Sequence, residues 1–596
     1  MVNLQPLAER AFSLGNNGHS GPLQGIARRY FWALPVVGAL GFLASLLEGL
    51  GIALLIPLLA SLVPGSAHGA IPRSVAAIGS TVIRLVPGQP AMALAAAMFG
   101  LIVIKGVVQV ANATLIVTVE GRAGHDIRTA ICRKIVSLPY PFFLENEKSR
   151  LINIITTDSW LATEAFGWTF AIVQAVFSIA IFSLILIVMQ WNMFCVVAIG
   201  LLIIRLVYSY LGRKIRRLSH KSVNANNVLA ERMLSIVTAT RVIRIFGGRE
   251  REFRRFVGAS QEVRKSMVRS RRSAAALLPG LEILFFLLFL AVVLVAYQRD
   301  ISLAVISAFL VLLYRLQPHV RTVGEARLNI AGLDGAIRQV SWLLDQPDAK
   351  PPTVSGHAPA GLGWPIRLDA VCYAYPKGNG ALKDVSFALE EGSATALIGR
   401  SGSGKSTIAN LLARLIEPQS GAITAGGRPA SDWTSDAWQA RIAVAGQDVE
   451  LIDGTIAQNI AYGRPEADLA QIIAAAVAAE ADGFIARMAR GYDSAVSLGG
   501  TNLSPGQRQR IGLARALLRG ADLLILDEAT SAIDGISESA IVRLLEERHW
   551  FKAALIISHR RSALSACPTA IVVDHGRIVE AGPVGSLSYF KAMAAN

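Results

Sequence analysis

Cysteine is nearly missing from this chain, and acidic residues are thin. The 596 residues include four cysteines, Cys132, Cys195, Cys372 and Cys567, with no CxxC spacing. That excludes a disulfide framework and a zinc site built on paired thiolates, and it leaves each thiol as a small apolar filler. Charged residues make up 17% of the chain, against about 25% in an ordinary soluble protein. No repeat at solenoid spacing and no low-complexity tract occurs, which excludes stacked-repeat and linker-like architectures. Residues 1–30 lack a short apolar core followed by a small-residue cleavage pattern. No removable signal peptide is expected, and the first long apolar segment is the expected targeting element.

Apolar sequence is abundant instead. The chain is 53% hydrophobic, with a mean hydropathy of +0.46. A helix needs about 20 apolar residues to cross a bilayer core. Six segments meet that length, approximately 31–63, 91–120, 161–190, 193–212, 274–297 and 301–320. With the N-terminus inside, the outer connections are 64–90, Trp191-Asn192 and Gln298-Arg299-Asp300, while the inner ones, 121–160 and 213–273, are long. The net charge of +16 follows the same division. Arg122, Arg128, Arg133, Lys134 and a dense series from Arg213 to Arg272 fall on the inner connections, where the positive-inside rule places basic residues. Nucleic-acid binding would put a basic stripe on a soluble domain, so no nucleic-acid partner is expected. The inner stretches alternate apolar and polar residues at helical spacing, as in Ala225 to Phe256, and read as spanning helices continued beyond the membrane.

The domain reading has four parts: a leader at 1–30, a helical transmembrane domain at 31–345, a linker at 346–363 rich in Pro, Gly and Ala, and an α/β domain at 364–596. Ionisable residues inside spanning helices are expensive and commonly face a cavity or a partner. Glu48 and Lys105 lie deep in their segments and are candidates for a substrate cavity or for pairing with each other. Arg205, Glu282 and Arg315 read as snorkelling or as lying beyond the membrane.

In the α/β part, Gly399-Arg400-Ser401-Gly402-Ser403-Gly404-Lys405-Ser406 fits G-x-x-x-x-G-K-[ST]. It follows the apolar run Ala394–Ile398 and opens a helical stretch beginning at Thr407. Such a loop turns successive N–H groups onto phosphate at a helix N-terminus. Lys405 is placed for the β- and γ-phosphates and Ser406 for Mg²⁺. A second apolar run, Leu523 to Leu526, ends in Asp527-Glu528. Asp527 then holds Mg²⁺ through water, and Glu528 orients the attacking water and accepts its proton.

Together these residues resemble the ATP-binding cassette family over nearly the whole chain. Leu503-Ser504-Pro505-Gly506-Gln507 resembles the family's signature loop, Gln447 its glutamine loop, and Asp534, in Ser531-Ala-Ile-Asp, its interface loop. His559 resembles the switch histidine, and Tyr375 the aromatic residue that stacks on adenine. The resemblance implies ATP and Mg²⁺ as cofactors. It implies nucleotide contacts from the phosphate loop through Thr407 and from Ser504, Gly506, Gln507 and Asp534. Gln447 joins Ser406 and Asp527 at the metal, and catalysis falls to Glu528, His559 and Gln447. Leu138 to Phe143 with Leu151 to Asp158, and Asn224 to Phe256, are similar to the two intracellular coupling loops of the exporter branch. The implied fold is an all-α six-helix transmembrane exporter domain followed by an α/β P-loop ATPase domain with a helical subdomain. Two departures stand out: Pro505 replaces the usual Gly, and Ser497-Leu498-Gly499-Gly500 replaces a Gly-Glu-Arg-Gly run. Slower or differently coupled turnover is expected from them.

One chain holds one phosphate loop and one signature loop, so the resemblance implies a partner subunit, with a homodimer favoured over a heterodimer. Glu48-Gly-Leu-Gly-Ile-Ala-Leu-Leu-Ile-Pro57 resembles the first spanning helix of exporters that flip lipid-linked glycans. A lipid-linked glycan or lipid is therefore the expected substrate. An exporter of a small peptide or amphiphilic drug and an ATP-gated regulator or channel are the other readings. Membrane lipids are expected partners, and the bacterial inner membrane the expected location.

Overall fold

The structure is a computed structural model that describes residues 21–62, 80, 81, 83, 90–299, 301, 303–348, 361–375, 381–446, 449–527, 542–545, 549–558 and 566–588. Two compact units divide the chain: Met1–Ser137 with Lys148–Gln346, and Leu138–Glu147 with Pro347–Asn596.

The first unit is built of helices. A short helix α1 (Pro22–Arg29) turns its Leu23, Ile26 and Ala27 inward. Tyr30, just after it, donates a 2.9 Å hydrogen bond to Asp126 Oδ2. α2 (Ala33–Ala53) follows, then α3 (Leu55–Leu62). The break at Leu54 puts Pro57 into the first turn of α3, where its missing N–H costs nothing. α4 (Pro90–Ser137) is one continuous helix of 48 residues. It ends just before Pro139, and α5 (Tyr140–Glu145) starts afresh within the second unit with Pro139 as its N-cap and Pro141 in its first turn, where proline is tolerated. α6 (Lys148–Asn153) passes through a π turn at Ile154–Asp158 into α7 (Ser159–Met189).

Glycine lets α2 lie close on α7: a Cβ at Gly38 would meet Phe177 Cε2 at 2.6 Å, and one at Gly49 would collide with Ile185. Small residues at such a crossing gain van der Waals contact where lipid offers no hydrophobic drive between helices. Ser45 Oγ donates to Ser178 Oγ at 2.7 Å across the same contact.

After a break at Gln190 come α8 (Trp191–Thr238), α9 (Thr240–Ile245) and α10 (Arg249–Ala275). Gly247, at φ +65°, makes the turn before α10. α11 (Leu277–Gln298) and α12 (Leu303–Leu344) complete the unit. Among the described residues five helices are long and apolar enough to cross a membrane: Ala33–Leu59, Pro90–Ser137, Lys148–Met189, Pro279–Gln298 and Leu303–Leu344. The fourth expected segment, 193–212, differs from its sequence bounds. Its apolar part is Trp191–Val207, shorter than a full span, because helix α8 begins at Trp191 itself and polar residues take over after Val207. The inner connections are helical, as their periodicity indicates, with α4 running on to Ser137 and α8 to Thr238.

The second unit holds two larger sheets. An antiparallel sheet of order β2-β1-β4-β5 contains β1 (Ile366–Tyr373), β2 (Leu382–Leu389), β4 (Ser420–Ala425) and β5 (Arg428–Pro429). The main sheet runs β12-β11-β3-β10-β9-β6 and comprises β3 (Ala394–Ile398), β6 (Ile442–Ala445), β9 (Leu523–Asp527), β10 (Ala553–Ile557), β11 (Thr569–Asp574) and β12 (Arg577–Pro583). Its pairs are parallel except β11 with β12. β3 and β10 are buried along their whole length, as continuous apolar runs in a sheet covered on both faces must be.

Helices α13 (Lys405–Leu412), α14 (Ser435–Gln439), α15 (Ile456–Ile460), α16 (Leu469–Ala478), α17 (Asp482–Ile485) and α18 (Pro505–Leu518) join the sheets, with a small ribbon of β7 (Gly454–Thr455) and β8 (Ala495–Val496). Ile456, Ile460, Ile472, Phe484, Leu503, Ile511 and Leu517 share one core with Ile398, Leu524 and Ile556 of the main sheet. Of the cysteines only Cys567 is a buried filler, its thiol pushed up to about 12 by burial; Cys132 and Cys195 are exposed and Cys372 is half-buried.

Candidate nucleotide-binding site

Parallel strands deliver their carboxyl ends to one edge of a sheet, where ligands of α/β folds bind. β3 ends at Ile398 and hands over to the loop Gly399–Gly404; β9 ends at Asp527, with β10 between the two strands. The two glycines that frame the loop are required by its geometry. A Cβ at Gly399 would strike the Val573 carbonyl and the Ser403 hydroxyl. Gly404 caps α13 at φ +111°, a left-handed conformation that side chains avoid. The first turn of α13 therefore points its free N–H groups into the loop.

Lys405 is buried, and its Nζ donates to the carbonyls of Gly399 at 2.8 Å and Arg400 at 2.9 Å. The ammonium is thus held inside the curve of the loop, where phosphate oxygens would replace those carbonyls as acceptors. Ser403 Oγ is buried with no hydrogen-bond partner among the described residues, a donor suited to an incoming anion. Arg400, Ser401 and Ser406 are exposed along the same turn, and Gly402 stands open at its crest. Thr407 is buried in the first turn of α13, 3.4 Å from the hydroxyl of Tyr375. Tyr375 packs edge-on against Tyr373 at 5.0 Å, which fixes an aromatic face beside the phosphate loop.

Ser406 and Asp527 offer one hydroxyl and one carboxylate near the carboxyl ends of β3 and β9. Hard oxygens in so small a number fit Mg²⁺, which keeps waters and takes further ligands from nucleotide phosphates. Gln447, Glu528, Asp534 and His559 lie outside the described residues.

The signature segment starts α18. Ser504 is its N-cap: the Ser504 hydroxyl accepts from Gln507 N at 3.2 Å, and Gln507 Oε1 accepts from Ser504 N at 2.9 Å. This capping box satisfies two N–H groups reciprocally. Pro505 occupies the first helical position, where φ near −65° is already helical and the N–H has no intrahelical partner. The departure from Gly is therefore well suited to the helix. It removes one donor toward phosphate and leaves the Ser504 hydroxyl and the Gly506 N–H.

Sequence reasoning passed over a clamp that ties the segment after Gln447 to α18. Arg515 donates to Asn459 O at 2.8 Å, Asn459 Oδ1 at 3.0 Å and Glu450 O at 3.0 Å. Asn459 is fully buried; it donates to the carbonyls of Ile452 and Thr455 and accepts from Ile452 N, all at 3.0 Å. The only signal in the sequence was a charged residue among the apolar ones of a short helix. Asn459→Ala strips partners from several backbone groups at once. Each buried orphan costs about 1–3 kcal/mol, so a fall in melting temperature of several degrees is expected by calorimetry, with Arg515→Lys giving a smaller one.

In the helical unit, Glu48 and Lys105 are brought together. Lys105 Nζ lies 2.7 Å from Glu48 Oε2, and Arg315 Nε lies 3.2 Å from Glu48 Oε1. Arg315 therefore does not simply snorkel: it joins α12 to the Glu48 of α2 and the Lys105 of α4. The carboxylate is 13% exposed and the ammonium 17%, while the guanidinium is 54% exposed. At 1.5 Å per residue, each of the three lies about 20 Å from the start of its own helix, deep in the apolar stretch.

Comparison with known proteins agrees with this picture. The ABC transporter transmembrane region matches residues 34–316, and the ABC transporter domain matches residues 382–531. An ATP-dependent lipid A-core flippase of Legionella pneumophila is 33% identical over 462 residues, covering 76% of this chain and 78% of that protein. Proteins of the same description from Chromobacterium violaceum (30% over 495 residues, 82% and 84% covered) and Pseudomonas aeruginosa (33% over 473, 77% and 76%) are also similar. A solved bacterial Atm1-family ABC exporter with ATP bound shares the fold, with a TM-score of 0.78 and 23% identity, over 95% of this chain and 98% of that one. An ATP-binding loop on an α/β sheet, fused in one chain to a multi-pass helical membrane domain, is the construction of an ATP-driven exporter, and this chain belongs to the ABC transporter family.

Proposed function

We propose that two copies of this chain form a homodimer that hydrolyses ATP to flip a lipid-linked glycan or lipid across a bacterial inner membrane, with the ATPase domains in the cytoplasm. The domain division behind this reading is the one drawn from sequence: leader 1–30, transmembrane domain 31–345, linker 346–363 and ATPase domain 364–596. In each composite site the phosphate loop of one copy meets Ser504, Gly506 and Gln507 of the other. Ser406, Gln447 and Asp527 would hold Mg²⁺, which would supply neutralisation of phosphate charge. Glu528 takes the proton of the attacking water, and His559 and Gln447 sense the γ-phosphate. Binding of ATP favours the closed pair of ATPase domains, and product release resets it.

The observation that carries the substrate class is the cluster at Glu48. One carboxylate faces two cations, so the group keeps a surplus positive charge deep among spanning helices, with Arg315 half exposed. Such a charge is expensive in lipid unless it has a partner. An anionic headgroup is the partner that fits, and the similar flippases act on a lipid. A peptide or amphiphilic drug is the second reading, favoured if the cavity takes cations at Glu48 instead.

The test is ATPase stimulation of the reconstituted protein across a panel of lipid-linked saccharides, lipids, peptides and drugs. Stimulation by anionic lipid-linked saccharides is expected, with Lys105→Ala raising the half-maximal concentration about tenfold, the loss of one charge-assisted contact. Stimulation by peptides alone would transfer the chain to the second reading, and current without stoichiometric transport would make it a channel.

A further inference from the structure

The basic residues of α8 and α10 are distributed in a way that topology alone does not require. Residues 213–272 contain seventeen Lys and Arg against four Asp and Glu, which accounts for most of the chain's net charge of +16. The ATPase region 364–596 offers no complement, with 22 basic and 24 acidic residues. The four acids of that stretch are Glu231, Glu250, Glu252 and Glu262. Glu250 and Glu252, at the start of α10, pair with Arg251, Arg254 and Arg255 at 2.9–3.5 Å. The opposite end of the helix pair has no acid at all: residues 206–230 and 263–281 together carry ten Lys and Arg and no Asp or Glu.

Helix lengths place seven of those ten at a similar depth. The apolar part of α8 is Trp191–Val207, about 25 Å long and short of a hydrocarbon core of about 30 Å. Residues 213–217, which hold four of the cations, follow about 9–15 Å further along the helix. The apolar part of α11 begins at Pro279, and Arg269, Arg271 and Arg272 precede it by about 10–15 Å. α8 and α10 pack along each other, and both groups are separated from the apolar parts of their helices by a similar rise. Arg264, Lys265, Arg269, Arg271 and Arg272 are exposed, and none has an acidic partner among the described residues.

We propose that the membrane-proximal ends of α8 and α10 are a binding surface for anionic phospholipid headgroups of the inner leaflet, and that their occupancy sets the rate of ATP turnover. Clusters of four to eight cations just inside a spanning helix attract anionic lipid, and long basic side chains reach up to the headgroup phosphates. The short apolar stretch of α8 draws its cations toward that layer. Because α8, α9 and α10 form one continuous excursion from the membrane, pinning its base restrains the whole hairpin.

The experiment uses the full chain in phosphatidylcholine vesicles containing increasing phosphatidylglycerol, with no lipid-linked saccharide present, so that it stands apart from the substrate question. ATPase activity is expected to rise severalfold with phosphatidylglycerol and to fall back at high salt. Quenching of tryptophan fluorescence by brominated phosphatidylglycerol is expected to exceed that by brominated phosphatidylcholine. The combined variant R269Q/R271Q/R272Q is expected to flatten the activity curve and to reduce the preference for the anionic quencher about tenfold; R269K/R271K/R272K retains both. Equal quenching by the two lipids, or an activity curve the glutamine variant leaves unchanged, would overturn the proposal.

Discussion

Glu528→Gln is expected to reduce ATP turnover by about 10²- to 10³-fold while leaving nucleotide binding intact. General-base assistance contributes about 10²- to 10⁴-fold in hydrolytic enzymes, and the amide keeps the shape of the carboxylate but cannot accept the proton of water. Asp527, the residue before it, ends β9 at the carboxyl edge of the main sheet, the edge that also carries the phosphate loop after β3. Trapped ATP should hold two ATPase domains together, and a longer-lived closed dimer is the expected companion of the slow turnover. The check is a single-turnover ATPase assay with retained-nucleotide counting. Full activity in the variant removes Glu528 from the base role.

Lys405→Ala is expected to act earlier, on binding. The ammonium is buried within the loop and donates to the carbonyls of Gly399 and Arg400. Its removal takes away a fixed charge placed within the phosphate loop, and loss of a preorganised donor of this kind costs about 10²- to 10³-fold. Isothermal titration should show weakened ATP binding in addition to lost hydrolysis. That separates this variant from Glu528→Gln, in which binding persists. The fold is expected to survive, because Gly404 and not Lys405 sets the turn into α13.

Much of this architecture was legible because the signals are local. A phosphate loop needs a strand, two glycines in tight places, a lysine and a helix, all within a dozen residues, and β3, Gly399, Gly404, Lys405 and α13 stand in that order. The spanning helices announce themselves by length and apolarity for the same reason. The end of the fourth apolar stretch was less visible, since α8 runs unbroken from the apolar part into the polar one and only composition marks the change. Long-range pairings were hidden. Nothing local links Arg515 to Asn459, 56 positions away, or Arg315 to Glu48. Glu48 and Lys105 could be singled out as costly charges, but that Arg315 shares the carboxylate depends on how α2, α4 and α12 pack. The fitness of Pro505 also needed the helix start, because proline is disruptive inside a helix and favourable at its first position.

The measurement that bears most directly on the twin-motor reading is a mixing experiment with two inactive variants, Lys405→Ala in the phosphate loop and Ser504→Arg in the signature loop. Each alone forms dimers with two broken sites and is expected to be silent. Co-expressed and reconstituted together, half of the dimers carry one intact site, and about a quarter of the wild-type ATPase rate is expected. Restored hydrolysis in the mixture is the predicted result. A mixture as silent as its components, from dimers shown to contain both variants, would contradict the claim that each nucleotide is shared between two copies.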